Sequence, residues 1–166
     1  MKRGTLAQLI EDRSCQNEDK IFVTERDGEQ LVSRTYAQLK ADVDKLALYL
    51  RLHVGTGEKI ALAGENSYQW ILVYLAVIYS GNIILPLDYR LLETEENDLL
   101  RMMQVSLLFV QDKYPSEEIT NETQCQKILM ASGGQGDLDE ILSQKIMDSS
   151  VCFTESVQET DICTIL

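Results

Sequence analysis

The sequence has a single histidine, His53, and no pair of cysteines at metal-binding spacing. Cys15, Cys125, Cys152 and Cys163 are scattered along the chain, so they form no recognisable structural zinc set with one imidazole. Neither a Ser-His-Asp set nor a metal cluster can be built around His53. We interpret the cysteines as small, buried or partly buried apolar residues whose thiols stay free, which favours a reducing compartment.

Basic residues are also scarce, because 15 Lys and Arg face 27 Asp and Glu and give a formal charge of −12. An acidic surface repels phosphate backbones and anionic lipid headgroups, which excludes nucleic acid and electrostatic membrane docking as main partners. The chain starts with Met1-Lys2-Arg3, but the apolar core of a signal peptide does not follow. We therefore predict a cytoplasmic location.

One long stretch, from Asn66 to Leu87, has no charged residue at all. Its length approaches the ~20 residues that a membrane span requires. Gly81 and Pro86 favour a helix end and a following strand instead, and no Lys or Arg cluster flanks the stretch. We predict a central helix buried on all sides, then a central strand, and no transmembrane segment.

The first part of the chain predicts two capped helices around a β-hairpin. Thr5 with Gln8, and Thr35 with Gln38, have the spacing of a capping box. Between these helices, two short apolar runs flank Asp27-Gly28, a sequence typical of a two-residue turn in which both residues have positive φ.

Beyond Gly57 the pattern alternates between strand and helix. The predicted strands are Ile60–Ala63, Ile83–Leu87, Leu107–Val110 and Lys127–Ala131. Strands separated by helices of this length pair in parallel through crossovers. The 166 residues therefore predict one α/β domain, a doubly wound and mostly parallel sheet with flanking helices and an N-terminal β-hairpin. Residues 149–160 are irregular and acidic, which indicates a linker before a further strand at Ile162–Leu166.

Two segments invite a functional interpretation. Ser132–Gly136 has the glycine content of a phosphate loop, but no Lys-Ser or Lys-Thr follows it, and Asp137 would repel an anion. We predict a mobile surface loop there. A group of acids, Glu93, Glu95, Glu96 and Asp98, is expected to be the solvated start of a helix. His53 falls in the last turn of a predicted helix, where a surface position is expected. The residues alone assign no catalytic, cofactor-binding or metal-binding position.

The order of several motifs resembles the N-terminal part of AMP-forming acyl-CoA synthetases, members of the adenylate-forming superfamily. The matching pieces are Thr35-Tyr36-Ala37-Gln38-Leu39, Gly57-Glu58-Lys59-Ile60-Ala61-Leu62, Asn66-Ser67-Tyr68-Gln69-Trp70 and Gly81 through Pro86-Leu87-Asp88. Three residues, Glu58, Gln69 and Asn82, depart from the usual Asp, Glu and Ala of that pattern. The form of Asn66 to Trp70 is closer to fatty acyl-CoA ligases than to nonribosomal peptide adenylation domains.

This resemblance implies that residues 1–166 are one subdomain within the larger N-terminal domain of such an enzyme, ending just before the phosphate loop. The implied parent is a fatty acid–CoA ligase that uses ATP, Mg²⁺ and CoA to form an acyl-adenylate and then a thioester. The 166 residues would be inactive alone, with the remainder of the parent chain, a fatty acid and possible homo-oligomer contacts as partners. Three alternatives stay open: a fragment of a peptide adenylation domain, a non-enzymatic interaction domain, and a small flavodoxin-like nucleotide binder.

Overall fold

The computed structural model describes residues 4–88, 93–112, 125–131, 135–144, 157–158 and 160–165, with the backbone alone at 27 and 93–97. Helices and strands alternate through this part of the chain. The helices are α1 (Leu6–Gln16), α2 (Tyr36–His53), α3 (Tyr68–Tyr79), α4 (Glu93–Met103) and α5 (Asp137–Ser143). The strands are β1 (Ile21–Asp27), β2 (Gln30–Thr35), β3 (Lys59–Ala63), β4 (Ile83–Leu87), β5 (Leu107–Gln111) and β6 (Gln126–Met130).

Four strands form a parallel sheet in the order β4-β3-β5-β6. The pairing is in register across the centre, where Ile60 of β3 lies between Ile84 of β4 and Leu107 of β5. A short segment near the end of the chain extends this sheet: Ile84 donates its N–H to the carbonyl of Cys163 at 2.9 Å and accepts from Ile165 N–H at 3.0 Å. The predicted last strand is therefore a single parallel bridge within the described residues, and Leu166 lies outside them.

Helices cover both faces of the sheet. On one face, the fully buried Leu62 and Phe109 pack with residues of α1, α2, α3 and α5. On the other face, Leu108 packs with Leu100 of α4. Apolar side chains point to both sides of β3 and β5, which explains why these strands read as unbroken apolar runs. The doubly wound α/β fold is confirmed.

The β-hairpin is confirmed, but the prediction for its turn was wrong. Asp27 pairs with Gln30, so the two loop residues are Gly28 and Glu29 rather than Asp27 and Gly28. Gly28 has φ of 60°, and Glu29, the second loop residue, does not share a positive φ. A glycine at the first central position suffices for one class of hairpin turn, whereas the predicted turn needed two positive values.

The prediction that α3 is buried on all sides was also wrong. Seven of its twelve residues are buried, but one side, formed by Trp70, Ile71, Tyr74 and Leu75, is only partly buried. The helix packs against the sheet and against α1 and α2, and these neighbours leave the fourth side incompletely covered. No helix within the described ranges is long and apolar enough to cross a membrane.

A polar cluster joins α1, α2 and α3. Lys40 Nζ lies 2.7 Å from a carboxylate oxygen of Asp44 and 3.1 Å from Glu11 Oε1, and it sits 5.2 Å above the ring of Tyr79. Tyr79 Oη donates a hydrogen bond to Glu11. Burial raises the pKa of Asp44 above its usual value. Burial opposes the charge on Lys40, but hydrogen bonds and attraction from Asp44 and Glu11 outweigh it and raise the Lys40 pKa.

Replacing Lys40 by methionine should destabilise the protein by about 1 kcal/mol, since both carboxylates are partly solvated. Without the cation, the pKa of Asp44 should rise further. A carboxyl group whose pKa is higher in the folded than in the unfolded state stabilises the fold at low pH, and this stability is lost as the pH rises through the folded-state pKa. The variant should therefore lose more stability between pH 5 and pH 7 than the parent. Urea unfolding at both pH values measures this difference, with exposed Lys20→Met as the control. Equal pH dependence in Lys40→Met and the parent would contradict the prediction.

Candidate functional site

The sheet reverses its winding direction between β3 and β5. The chain leaves β3 through α3 to β4 on one side, and continues from β5 to β6 on the other. In open α/β sheets, ligands bind in the crevice at the carboxyl ends of the two strands where this reversal occurs. Here that crevice lies between the Gly64–Ser67 loop after β3 and Gln111 at the end of β5.

The side chain of Gln111 occupies this crevice. Its Oε1 accepts from Glu65 N–H at 2.7 Å, and its Nε2 lies 3.4 Å from Ser67 Oγ. A Cβ on Gly64 would come within 2.9 Å of Gln111 Cγ and Cδ, so glycine allows the loop to approach this side chain. The switch point is thus filled by an amide that links the end of β5 to the loop after β3, which is a scaffold arrangement.

The amino end of α3 is likewise occupied by the chain itself. Glu25 of the hairpin accepts from Tyr68 N–H at 2.8 Å, and Ser67 Oγ accepts from Trp70 N–H at 3.1 Å. Tyr68 Oη donates to Asp42 at 2.7 Å, and Arg34 lies 5.2 Å from the Tyr68 ring centroid. Burial, followed by the bond to Asp42, raises the pKa of Tyr68. A carboxylate at a helix start satisfies the free N–H groups and the helix dipole, so these contacts anchor the hairpin.

The predicted glycine loop is only partly described, since Ser132–Gly134 lie outside the described residues. Gly136 is buried, in contrast to the expected surface loop. Asp139 Oδ2 accepts from its N–H at 3.0 Å, and Asp137 Oδ2 accepts from Leu129 N–H at 2.9 Å. A protein carboxylate therefore bonds the Gly136 N–H at the described end of this loop, and the Asp137 carboxylate links α5 to β6.

An open cavity of about 470 Å³ lies at the opposite end of the sheet, beside the amino ends of β3 and β4. It lies where α2 and α3 end, and its outer wall includes Val157 and the residues from Thr160 to Cys163. Arg51 Nε donates to the carbonyl of Ser80 at 3.0 Å, and Asp161 accepts from Gln158 N–H at 2.8 Å. Arg51 and Asp161 therefore each hold a backbone group in place beside the amino ends of the strands.

The remaining acids and the histidine of the sequence analysis lie apart from these sites. His53 is exposed in the last turn of α2, as predicted, where Nδ1 is 2.9 Å from the carbonyl of Tyr49 and the two rings stack at 4.2 Å. Asp98 pairs with Arg101 of the same helix at 3.6 Å. The side chains of Glu93, Glu95 and Glu96 lie outside the described part. Within the described ranges, no group of His, Cys, Asp and Glu could hold a metal ion.

The interpretation of the cysteines was wrong for Cys15 and Cys163, which are exposed and free. Cys15 lies near the end of α1, and Cys163 lies in the edge segment, so neither has a packing layer above it. Cys125 is buried as expected, and burial raises the pKa of its thiol to about 11. Cys152 lies outside the described residues.

The three departures from the family pattern each make specific contacts that sequence analysis missed. Asn82, 2% exposed, donates through Nδ2 to the carbonyl of Gly55 and to Ser80 Oγ, both at 3.0 Å. Its Oδ1 accepts from the backbone N–H of Glu58 at 2.9 Å, and the Glu58 carboxylate accepts a hydrogen bond from Ser106 Oγ. Gln69 Nε2 lies 3.4 Å from Asp139 of α5. The sequence did contain one signal for Asn82, because it is a polar residue directly after Gly81 in a stretch that has no charged residue.

A family model described as AMP-binding enzyme matches residues 10–166. The chain belongs to this family. One relative, the crotonobetaine/carnitine–CoA ligase of Salmonella paratyphi B, is 28% identical over 97% of this chain and 33% of its own length. The mitochondrial medium-chain acyl-CoA ligase ACSF2 of Macaca fascicularis is 32% identical over 52% of this chain and 14% of its own length.

Solved structures agree with the family at the level of fold. The anthranilate CoA ligase AuaEII superposes with a TM-score of 0.80 at 17% identity, over 96% of this chain and 30% of that one. The N-terminal domain of FACL13 from Mycobacterium tuberculosis gives 0.79 at 17% identity, over 98% of this chain and 41% of that one. This member of the AMP-binding family therefore has the fold of the N-terminal part of acyl-CoA ligases, and it spans about a third of the length of the crotonobetaine/carnitine–CoA ligases that it matches along nearly its whole length.

Proposed function

We propose that residues 1–166 form the N-terminal subdomain of an ATP-dependent fatty acid–CoA ligase in the cytoplasm, with an irregular linker at 149–160, and that they are inactive alone. The family-model match over residues 10–166 carries this proposal. The parent reaction is acyl-adenylate formation from ATP and a fatty acid, followed by thioester formation with CoA. ATP, Mg²⁺ and CoA belong to that parent, and we assign no catalytic, cofactor-binding or metal-binding residue here.

The contacts at the carboxyl edge support a scaffold role. Gln111 fills the switch-point crevice, and Glu25 occupies the start of α3. Open α/β sheets bind ligands at such places, but here protein groups already satisfy one another. The chemistry of the parent then belongs to residues beyond this subdomain.

The test compares this chain with the longer polypeptide encoded by the native gene. The 166 residues alone should give no carboxylate-dependent ATP–pyrophosphate exchange, whereas the longer polypeptide should exchange with fatty acids. Exchange with amino acids instead would replace the fatty acid assignment with a peptide adenylation domain. A stop codon directly after Leu166 would overturn the ligase proposal and favour the interaction domain.

A further inference from the structure

Helix α1 is held to the rest of the fold by few apolar contacts. Of its 11 residues, Ala7, Ile10 and Ser14 are buried, whereas Leu9 is 47% exposed. Ser14 Oγ has no hydrogen-bond partner among the described residues, and a buried hydroxyl without a partner disfavours the docked state. An isolated helix of about this length is only marginally stable in water. The attachment of α1 therefore depends strongly on its polar contacts.

Glu11 joins α1 to both neighbouring helices. Its carboxylate lies 3.1 Å from Lys40 Nζ of α2 and accepts a hydrogen bond from Tyr79 Oη of α3. Both carboxylate oxygens of Asp44 lie 2.7 Å from the same ammonium group. Two carboxylates thus share one cation in a partly buried position, where like charges repel one another more strongly than in water. We call these four side chains the helix clasp.

Within the clasp, the Asp44 carboxyl group responds to the position of α1. Burial raises its pKa most, and Lys40 opposes this rise through a hydrogen bond and its charge. The charge of Glu11 raises the pKa further, while a hydrogen bond from Tyr79 lowers it, and the net result is a raised pKa. A proton on Asp44 removes its repulsion of Glu11 and leaves the Lys40 cation to attract Glu11 alone. Proton binding and the docking of α1 therefore favour one another.

The chain that follows α1 provides a hinge. Asn17 caps the end of the helix by donating its N–H to the carbonyl of Ser14. Lys20 donates its N–H to the Asn17 carbonyl at 2.8 Å, and its own carbonyl accepts from Tyr36 N–H, at the start of α2, at 3.0 Å. Helix α1 can therefore move away as a unit while Lys20 stays attached to α2.

We propose that the helix clasp is controlled by a proton: α1 stays closed on α2 and α3 when Asp44 is protonated, and it opens more often when Asp44 and Glu11 are both charged. This device is independent of the proposed ligase activity. Because Glu11 raises the pKa of Asp44 only while α1 is docked, the closed state is favoured at low pH, and this advantage is lost as the pH rises through the closed-state pKa. Opening of α1 should therefore increase towards neutral pH, as a local event separate from global unfolding.

Hydrogen exchange measured by mass spectrometry tests the clasp in the polypeptide that the native gene encodes. The peptide that contains α1 is compared at pH 4.5 and pH 7, after correction for the intrinsic dependence of amide exchange on pH. The protection factor of α1 should be lower at pH 7 by about twofold or more. Equal protection at both pH values would overturn the proposal. So would exchange of α1 only together with the slowest amides of β5, because the helix would then not open separately.

Asp44→Asn distinguishes control by a proton from simple support by an ion pair. Asparagine keeps the size of the side chain, removes its repulsion of Glu11 and resembles the protonated carboxyl group. The protection factor of α1 at pH 7 should rise by about threefold or more, although the ion pair with Lys40 is lost. Unchanged or lower protection would overturn the proposal. The control is Asp12→Asn on the exposed side of α1, which removes the same charge and should change protection by less than about twofold.

Glu11→Gln provides a second test if Asp44→Asn does not fold. This variant removes the charge through which α1 acts on Asp44. Helix α1 should then open more often at both pH values, with protection factors that differ by less than about 1.5-fold between pH 4.5 and pH 7. A pH dependence equal to that of the parent would contradict the link between the two carboxyl groups and overturn the clasp. Neither variant bears on ligase activity, so failure of the clasp leaves the proposed function intact.

Discussion

Replacing Asn82 by alanine should lower the free energy of unfolding by about 2–4 kcal/mol, although alanine is the usual residue of the resembling family at this place. The change removes the partners of Glu58 N–H, the Gly55 carbonyl and Ser80 Oγ. A buried polar group left without a partner costs about 1–3 kcal/mol, and water can reach Glu58 and Gly55 in part. Urea unfolding followed by circular dichroism measures the loss.

The isosteric variant Asn82→Asp sharpens this test. It keeps an acceptor for Glu58 N–H but replaces the two donated bonds with repulsion from the Gly55 carbonyl. It also adds a negative charge close to the carboxyl end of α3, where the helix dipole disfavours it. We expect it to cost at least as much as alanine at pH 7, and less at pH 4.

Exposed Asn66→Ala is the matched control, with an expected change within about 0.5 kcal/mol. An unfolding midpoint for Asn82→Ala as close to the parent as that of the control would show that the three contacts contribute nothing to stability.

The sequence predicts what depends on local pattern. Both capping boxes form, with Thr5 and Thr35 each accepting from the N–H three residues later. The apolar runs at Ile60 and Leu107 predict buried strands because parallel strands in this fold face a packed layer on either side. Periodicity and capping are properties of neighbouring residues, so no knowledge of the tertiary fold is needed to read them.

What the sequence does not predict depends on contacts between distant segments. Asn82 lies 27 residues from Gly55, and Gln111 lies 46 residues from Glu65. The residues next to Asn82 and Gln111 in the sequence do not indicate which distant residues these side chains contact. The partly exposed side of α3 was missed for a related reason. A run of apolar residues shows that a helix avoids water, but it does not show whether its own domain supplies every neighbour.

Two of the residues that depart from the family pattern, Asn82 and Gln69, make such contacts between distant segments. Asn82 accepts from the backbone N–H of Glu58, and Gln69 Nε2 lies 3.4 Å from Asp139 of α5. The first contact joins the residues that precede β3 and β4, and the second joins the first turns of α3 and α5. Asn82 and Gln69 therefore contribute contacts between separate elements of the doubly wound sheet.

Gly136→Ala should destabilise the protein by roughly 2–3 kcal/mol by the cost of overpacking. An added Cβ would meet Ala131 N and Leu129 O at 2.6 Å, and these are backbone atoms that no rotamer change can move. The start of α5 would separate from β6, and the buried Leu138 would lose its packing. Thermal and urea unfolding without ligand measure the effect.

Gly28→Ala is the matched control for glycine replacement, because nothing lies within 4 Å of its added Cβ and only its positive φ is disfavoured. We expect a cost of about 1 kcal/mol there.

A glycine at position 136 has two explanations, close packing and a phosphate loop, and they predict different effects of the Gly136→Ala change. Close packing against β6 predicts a loss of stability with no nucleotide present, whereas a phosphate loop predicts unchanged unfolding and weaker ATP binding. The second result would contradict the packing explanation, since the 2.6 Å approach to backbone would then carry no energetic cost.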